Sequence, residues 1–148
     1  MNYIKLRRFF QAALLLVIIA LMWGCGNGGG SASNEVVSKN ALSISPSSSG
    51  EYAIRGDNME DAAGIELTIS YDIATLSSPT VTQSGFISGA MMATNTITPG
   101  KIKIAIISTK AISGNGQIAT VSFATVTGTG NVSITSVTMI DTKGAPIP

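Results

Sequence analysis

The chain has 148 residues, of which 45% are apolar, 11% charged and 5% aromatic. This length suits one domain beside a targeting segment, and so low a charge with so many apolar residues excludes a disordered chain. The formal net charge is +1, but Lys5, Arg7 and Arg8 stand within the first ten positions. Without these three, the chain has six basic and eight acidic residues. A net charge of −2 does not provide the basic surface that nucleic-acid binding needs.

Two residue types limit the chemistry further. The sequence has no histidine, which removes Ser-His-Asp and Cys-His catalysis and most zinc sites. Acidic residues cluster only at residues 57–61, but Met59 stands where a calcium-binding EF-hand loop needs its second oxygen ligand. Calcium binding there stays an open alternative. The sequence predicts a protein that is not an enzyme and that has neither a metal site nor another cofactor.

The N-terminus has the pattern of an export signal. A basic start is followed by an apolar run at residues 9–23, which is short for a membrane span. Gly24 then precedes Cys25, the only cysteine of the chain. This junction resembles the lipobox of bacterial lipoproteins, although Met22 stands where that family prefers leucine. The resemblance implies that residues 1–24 form a lipoprotein signal peptide and that the Cys25 thiol is lipidated.

This reading also gives an expected location. Residues 25–40 are rich in glycine and serine and predict a flexible tether. In Gram-negative lipoproteins, an aspartate after the cysteine tends to retain the protein at the inner membrane, and here Gly26 follows Cys25. We therefore expect a lipid-anchored protein of the bacterial cell envelope, with the outer membrane favoured and its periplasmic face or the cell surface both open. An uncleaved N-terminal anchor is the alternative.

Residues 41–148 predict an all-β domain. The clearest signal is residues 64–72, where Ile65, Leu67, Ile69 and Tyr71 alternate with polar residues, as in a half-buried strand. About eight such strands, with frequent turn signals and no convincing helix, predict a jelly-roll β-sandwich. The strands are predicted near residues 42–45, 51–55, 64–71, 80–83, 90–96, 101–108, 117–127 and 132–140.

Several connections and a common core are predicted as well. Pro46 should end the first strand, residues 56–63 should form an acidic loop, and residues 113–116 (Ser-Gly-Asn-Gly) should form a turn. Asp72 should open a turn, and the last strand should contain a bulge near residues 135–136. The side chains expected to be buried together are those of Ile65, Leu67, Ile69, Tyr71, Ile102, Ile104, Val121 and Phe123.

Three stretches resemble cohesin domains, the nine-stranded jelly rolls of cellulosome scaffolds. They are residues 63–72 followed by Leu76, the glycine turn and long strand of residues 113–123, and the opening residues 42–46. The resemblance covers residues 41–148. Departures from the family are Ile73 in place of the usual proline, compressed first strands, a single module and no dockerin-like calcium repeat.

The resemblance implies a non-catalytic module that binds a protein partner, of dockerin type or another, through one face of a sheet. The residues implied for that contact are Glu66, Thr68, Ser70, Asn95, Lys101 and Lys103. The alternative is that these residues are simply the solvated side of an ordinary sheet. A second hypothesis is a carbohydrate-binding module for soluble glycans or polysaccharide, since related folds carry both functions. Its contact would be Phe86, the one aromatic residue of the predicted domain that is free of the core phase.

Overall fold

The computed structural model describes residues 38–128 and 130–148. Cys25, the predicted signal peptide and most of the predicted tether lie outside these residues. Within them the secondary structure is strand, apart from one 3₁₀ helix at Gly85–Ile87. The strands are β1 (Ala41–Ser48), β2 (Glu51–Tyr71), β3 (Leu76–Gln83), β4 (Met91–Asn95), β5 (Lys101–Val126), β6 (Val132–Asp141) and β7 (Pro146–Ile147).

No helix in the described part of the chain has the length and hydrophobicity needed to cross a membrane.

The two long strands, β2 and β5, organise the sandwich because each contributes to both of its layers. Residues 51–57 of β2 pair with β1, and residues 51–56 pair with residues 116–122 of β5, whose outer neighbour is β3. Residues 64–70 of β2 pair with residues 101–107 of β5, and this half of β2 also pairs with β6. We call the first set, with β1 and β3, layer A. We call the second set, with β4, β6 and β7, layer B.

Two predicted connections are wrong, because residues 56–63 and 113–116 lie inside β2 and β5. The register between β2 and β5 shifts repeatedly over residues 54–64 of β2, where both strands pass from one layer to the other. Asn58 and Gly114 have positive φ angles of 51° and 95°, and the Asn58 backbone N–H donates to Oδ1 of Asn115 over 2.6 Å. The Asn and Gly residues that suggested a loop and a turn instead permit irregular strand.

These mergers explain the strand count. Each of the two long strands joins two predicted strands, and the short β7 is added, so seven strands are observed where about eight were predicted. When the halves of β2 and β5 are counted separately, the domain has nine strand segments. The prediction of an all-β sandwich is confirmed.

Three smaller predictions are decided by local hydrogen bonds and pairing. The turn at Asp72 is confirmed, since its side chain accepts from the Ala74 N–H over 2.9 Å. A bulge at Thr135 is confirmed as well, because the register of β6 on β2 shifts there. Pro46 does not end β1, which continues to Ser48. Among the described strands β1 pairs only with β2, and an edge strand tolerates a residue without an N–H.

The core lies between the two layers, and the predicted core is confirmed. All eight predicted residues are at most 8% exposed and belong to one cluster of buried side chains. The Phe123 ring links the layers, with its centroid 5.0 Å from that of Tyr71 and 5.9 Å from that of Tyr52. The Tyr52 hydroxyl donates to the carbonyl of Gly130 over 2.9 Å, so its half-buried polar end is satisfied.

Candidate functional site

The structure brings the six predicted contact residues onto one surface, the outer face of layer B. Thr68 lies opposite Lys103, and Asn95 of β4 also lies opposite Lys103. Residues directly opposite each other in an antiparallel pair point to the same side of the sheet. Asn95, Lys103 and Thr68 therefore form one row across β4, β5 and β2, and Ser136 of β6 continues it.

Two parallel rows complete the predicted set. Lys101 lies opposite Ser70, which is opposite Ser133 of β6. On the other side of the Lys103 row, Glu66 lies between Ala105 of β5 and Thr138 of β6.

The middle of this face is concave because two of its side chains are very small. Ala93 of β4 lies opposite Ala105, next to Glu66. The depression here has a volume of about 420 Å³, and Asn95 and Lys103 line it together with these residues. A protruding group of a partner could enter this depression without displacing a large side chain.

The charges on this face are available to a partner. Glu66, Lys101 and Lys103 are all exposed. Among the residues that the structure describes, the single ion pair joins Lys39 to Glu60, at 2.8 Å, and neither belongs to this face. The face can therefore offer two ammonium groups and one carboxylate without first breaking an internal ion pair.

The predicted set omitted the β6 side of this face. Ser133, Ser136 and Thr138 lie beside Ser70, Thr68 and Glu66 respectively, as the register of β6 on β2 shows. The spacing of these hydroxyl residues changes because the bulge at Thr135 shifts the phase of the strand. The phase slip was visible in the sequence, but the strand that β6 pairs with was not.

The acidic segment is built differently from a calcium loop. Residues 57–61 belong to β2, and the Met59 side chain is only 2% exposed, inside the core. The Asp61 carboxylate accepts a hydrogen bond from the Thr142 hydroxyl at 2.8 Å. No group of three metal-ligating acidic, cysteine or histidine side chains occurs within residues 38–128 and 130–148.

Phe86 is not the free aromatic surface that the glycan hypothesis used. Its ring is half-buried against the core, and a Cβ atom on Gly116 would collide with it. The Ser84 hydroxyl accepts from the Phe86 N–H over 3.3 Å and caps the 3₁₀ helix that carries the ring. Phe86 therefore closes one end of the sandwich, away from the outer face of layer B.

No protein-family model matches the chain, and no curated protein matches its sequence. Solved structures do match. A non-cellulosomal cohesin from the archaeon Archaeoglobus fulgidus is 19% identical with a TM-score of 0.65, covering 75% of this chain and 84% of that one. The cohesin of a type I cohesin-dockerin complex from Clostridium thermocellum is 14% identical with a TM-score of 0.64, covering 75% and 92%.

A third match is the sixth cohesin of scaffoldin B from Acetivibrio cellulolyticus, also solved with a dockerin. It is 22% identical with a TM-score of 0.59, and the match covers 74% of this chain and 91% of that one. Identities this low carry information on fold alone, but the fold agrees in all three. The domain described here therefore has the cohesin fold, as the resemblance of its sequence predicted.

Proposed function

We propose that this domain is a non-catalytic module that binds a protein partner through the outer face of layer B. The observation that carries the proposal is the set of registered rows across β4, β5, β2 and β6. These rows bring Glu66, Lys101 and Lys103 to one exposed surface, and none of the three forms an ion pair with another described residue. Two of the matched cohesins were solved with dockerins, which supports a partner of dockerin type.

The energetics favour a polar contact with a well-defined orientation. A buried hydrogen bond to a charged group contributes about 1.5–3 kcal/mol, so two lysines and one glutamate are enough to orient a partner. Charges at the edge of an interface mainly raise the association rate and exclude wrong partners. The partner should therefore present carboxylates to Lys101 and Lys103.

We also propose that a lipid on Cys25 holds the protein at the bacterial cell envelope, with the outer membrane favoured. The support is the resemblance of the Gly24-Cys25 junction to a lipobox and the glycine- and serine-rich segment that follows it. More than one acyl chain gives stable anchoring, whereas a single chain gives only marginal binding. Binding at the envelope would then take place close to the membrane surface.

The binding proposal is tested with the full chain purified in detergent. We expect it to retain a protein from the envelope extract of the producing bacterium, identified by mass spectrometry, and to leave an array of soluble glycans unbound. The Lys103→Glu variant should no longer retain that protein. Saturable glycan binding by the wild type, abolished by Phe86→Ala in a folded variant, would instead assign the domain to carbohydrate.

The anchoring proposal has its own test. Cys25→Ser should release the protein from the membrane fraction or leave an unprocessed precursor, and the wild-type Cys25 should carry acyl chains as the first residue. An unmodified Cys25 still joined to Gly24 in the mass spectrum of the wild type would refute this proposal. The binding proposal would be unaffected by that result.

A further inference from the structure

One row on the outer face of layer B contains no polar side chain on any strand. Met91 of β4 lies opposite Ile107 of β5, and Ile107 lies opposite Gly64 of β2. Gly64 in turn lies opposite Ile140 of β6, and Ile140 lies opposite Pro146 of β7. We call these five residues the apolar row.

The four side chains of the apolar row are exposed to solvent, while Gly64 is buried beneath one of them. Met91 is 80% exposed, Ile107 67% and Ile140 41%, and Pro146 is also exposed. Isolated apolar residues on a surface need no explanation, but contiguous ones indicate a contact. Met91, Ile107 and Ile140 come from three strands that are well separated in sequence, so no local sequence pattern accounts for their positions in one row.

Gly64 makes the apolar row continuous. A Cβ atom at this position would lie 2.6 Å from Cγ1 and 2.9 Å from Cδ1 of Ile140. The Ile140 side chain therefore lies over β2, in the space that a side chain at position 64 would occupy. At a strand spacing of about 4.8 Å, the row across five strands is about 19 Å long.

We infer that the apolar row is the anchor of the partner interface, an inference that rests on the proposed function. Interfaces commonly have an apolar centre and a polar rim, with charged residues depleted at the centre. Successive rows on one face of a strand are about 6.8 Å apart, so Lys103 lies about 14 Å from the apolar row and Lys101 about 20 Å. The partner is a protein with an apolar ridge on this row and carboxylates opposite the two lysines.

The charges and the side-chain types favour this occupant over two others. A second copy of the chain would bring the same two lysines and one glutamate, so two such faces in contact would leave lysines without a carboxylate partner. A glycan would need a flat ring to stack on. None of the aromatic residues in the described part of the chain, Tyr52, Tyr71, Phe86 and Phe123, belongs to the outer face of layer B.

The test places a photoreactive benzoylphenylalanine in the full-length protein of the producing bacterium, in separate strains at Ile107, Lys103 and Thr82. Thr82 is the control, because it is exposed but lies on β3 of layer A. We expect the probes at Ile107 and Lys103 to cross-link the same protein, and the probe at Thr82 to leave it unlinked.

The affinity of that cross-linked protein is then measured for Ile107→Ser and for the control Thr82→Ala. Ile107→Ser should weaken binding by about tenfold or more, while Thr82→Ala should change it less than about twofold. Ile107→Ser at full affinity, with Lys103→Glu still weakened, would overturn the anchor and leave the proposed function standing. Cross-links from Ile107 to a second copy or to lipid would overturn the inferred occupant. If neither Ile107 nor Lys103 cross-links or affects binding, the proposed function fails as well.

Discussion

The two outer faces of the sandwich are built on the same two strands, yet they differ in composition. The outer face of layer A has a row of Thr82, Thr120, Ala53 and Ser45. Its next row contains Thr80, Ser122, Glu51 and Ser48. These two rows, which we call the hydroxyl face, have no large apolar side chain. The outer face of layer B has an apolar row, an alanine-floored depression and two lysines.

This difference shows what a solvated sheet face requires in this protein. Because β2 and β5 supply the middle of both faces, topology and position in the sheet do not explain the contrast. On layer A, short side chains that are mostly polar are enough to cover the middle of the sheet. The exposed Ile107 and Met91 therefore need a separate reason, and contact with a partner supplies one. Each of the following changes tests a part of this contrast.

The largest expected effect is at the core side of β2. Leu67 is 3% exposed, and Leu67→Ala should lower the free energy of unfolding by about 2–5 kcal/mol. Thr68→Ala removes the neighbouring side chain on the outer face and should cost about 0.5 kcal/mol or less. Urea denaturation of the two variants measures both values. Equal losses would mean that the inner and outer sides of this half of β2 are not distinct.

The second largest effect is expected at the end of the sandwich, away from both outer faces. Phe86→Ala should lower the free energy of unfolding by about 2 kcal/mol, less than for a fully buried ring, because the Phe86 ring is half-buried. Phe86→Leu keeps most of the apolar volume and should cost about half as much. Both variants should bind the protein partner at full strength. If a folded Phe86→Ala variant no longer bound the partner, the contact would involve the end of the sandwich that carries Phe86, which would contradict its assignment to the outer face of layer B.

Reversing a charge on layer B should change binding and leave stability unchanged. Lys103→Glu should weaken the partner complex at least about tenfold, because it puts a carboxylate opposite the carboxylates expected on the partner. Its thermal midpoint should stay close to that of the wild type, since Lys103 is exposed and has no ion pair among the described residues. Arg55→Glu makes the same reversal in layer A, where Arg55 is exposed and lies opposite Ser43 and Gln117, and this variant should bind normally.

The smallest effect is expected on the hydroxyl face. Thr82 is exposed on β3, and Thr82→Lys adds a charge there without removing a buried group. We expect unfolding within about 0.5 kcal/mol of the wild type and partner affinity within about twofold. A loss of binding comparable to that of Lys103→Glu would show that the two faces do not differ in function.

The sequence was sufficient for the features that depend on alternation alone. The period of two placed Leu67 and Ile102 in the core and Thr68 and Lys103 outside, and the phase slip of the last strand predicted the bulge at Thr135. These are local consequences of strand geometry, so they need no knowledge of which strand pairs with which.

The path of β2 and β5 could not be obtained in the same way. Asn58 and Gly114 both permit positive φ, and that property suits a reversing loop as well as a strand that crosses between layers. The choice depends on pairing between residues more than fifty positions apart, such as Asn58 with Asn115. The apolar row has the same origin, because Ile107 and Ile140 meet only through the register of both strands on Gly64.

The most direct test of the contrast between the faces is covalent labelling of lysines with a small acetylating reagent. It compares the purified protein with the protein in the intact envelope fraction. We predict that Lys101 and Lys103 are labelled several-fold less in the envelope, while Lys39, which is exposed and precedes β1 of layer A, is labelled equally in both. Equal labelling of Lys101 and Lys103 in the two samples, or equally strong protection of Lys39, would contradict the assignment of the outer face of layer B as the binding surface.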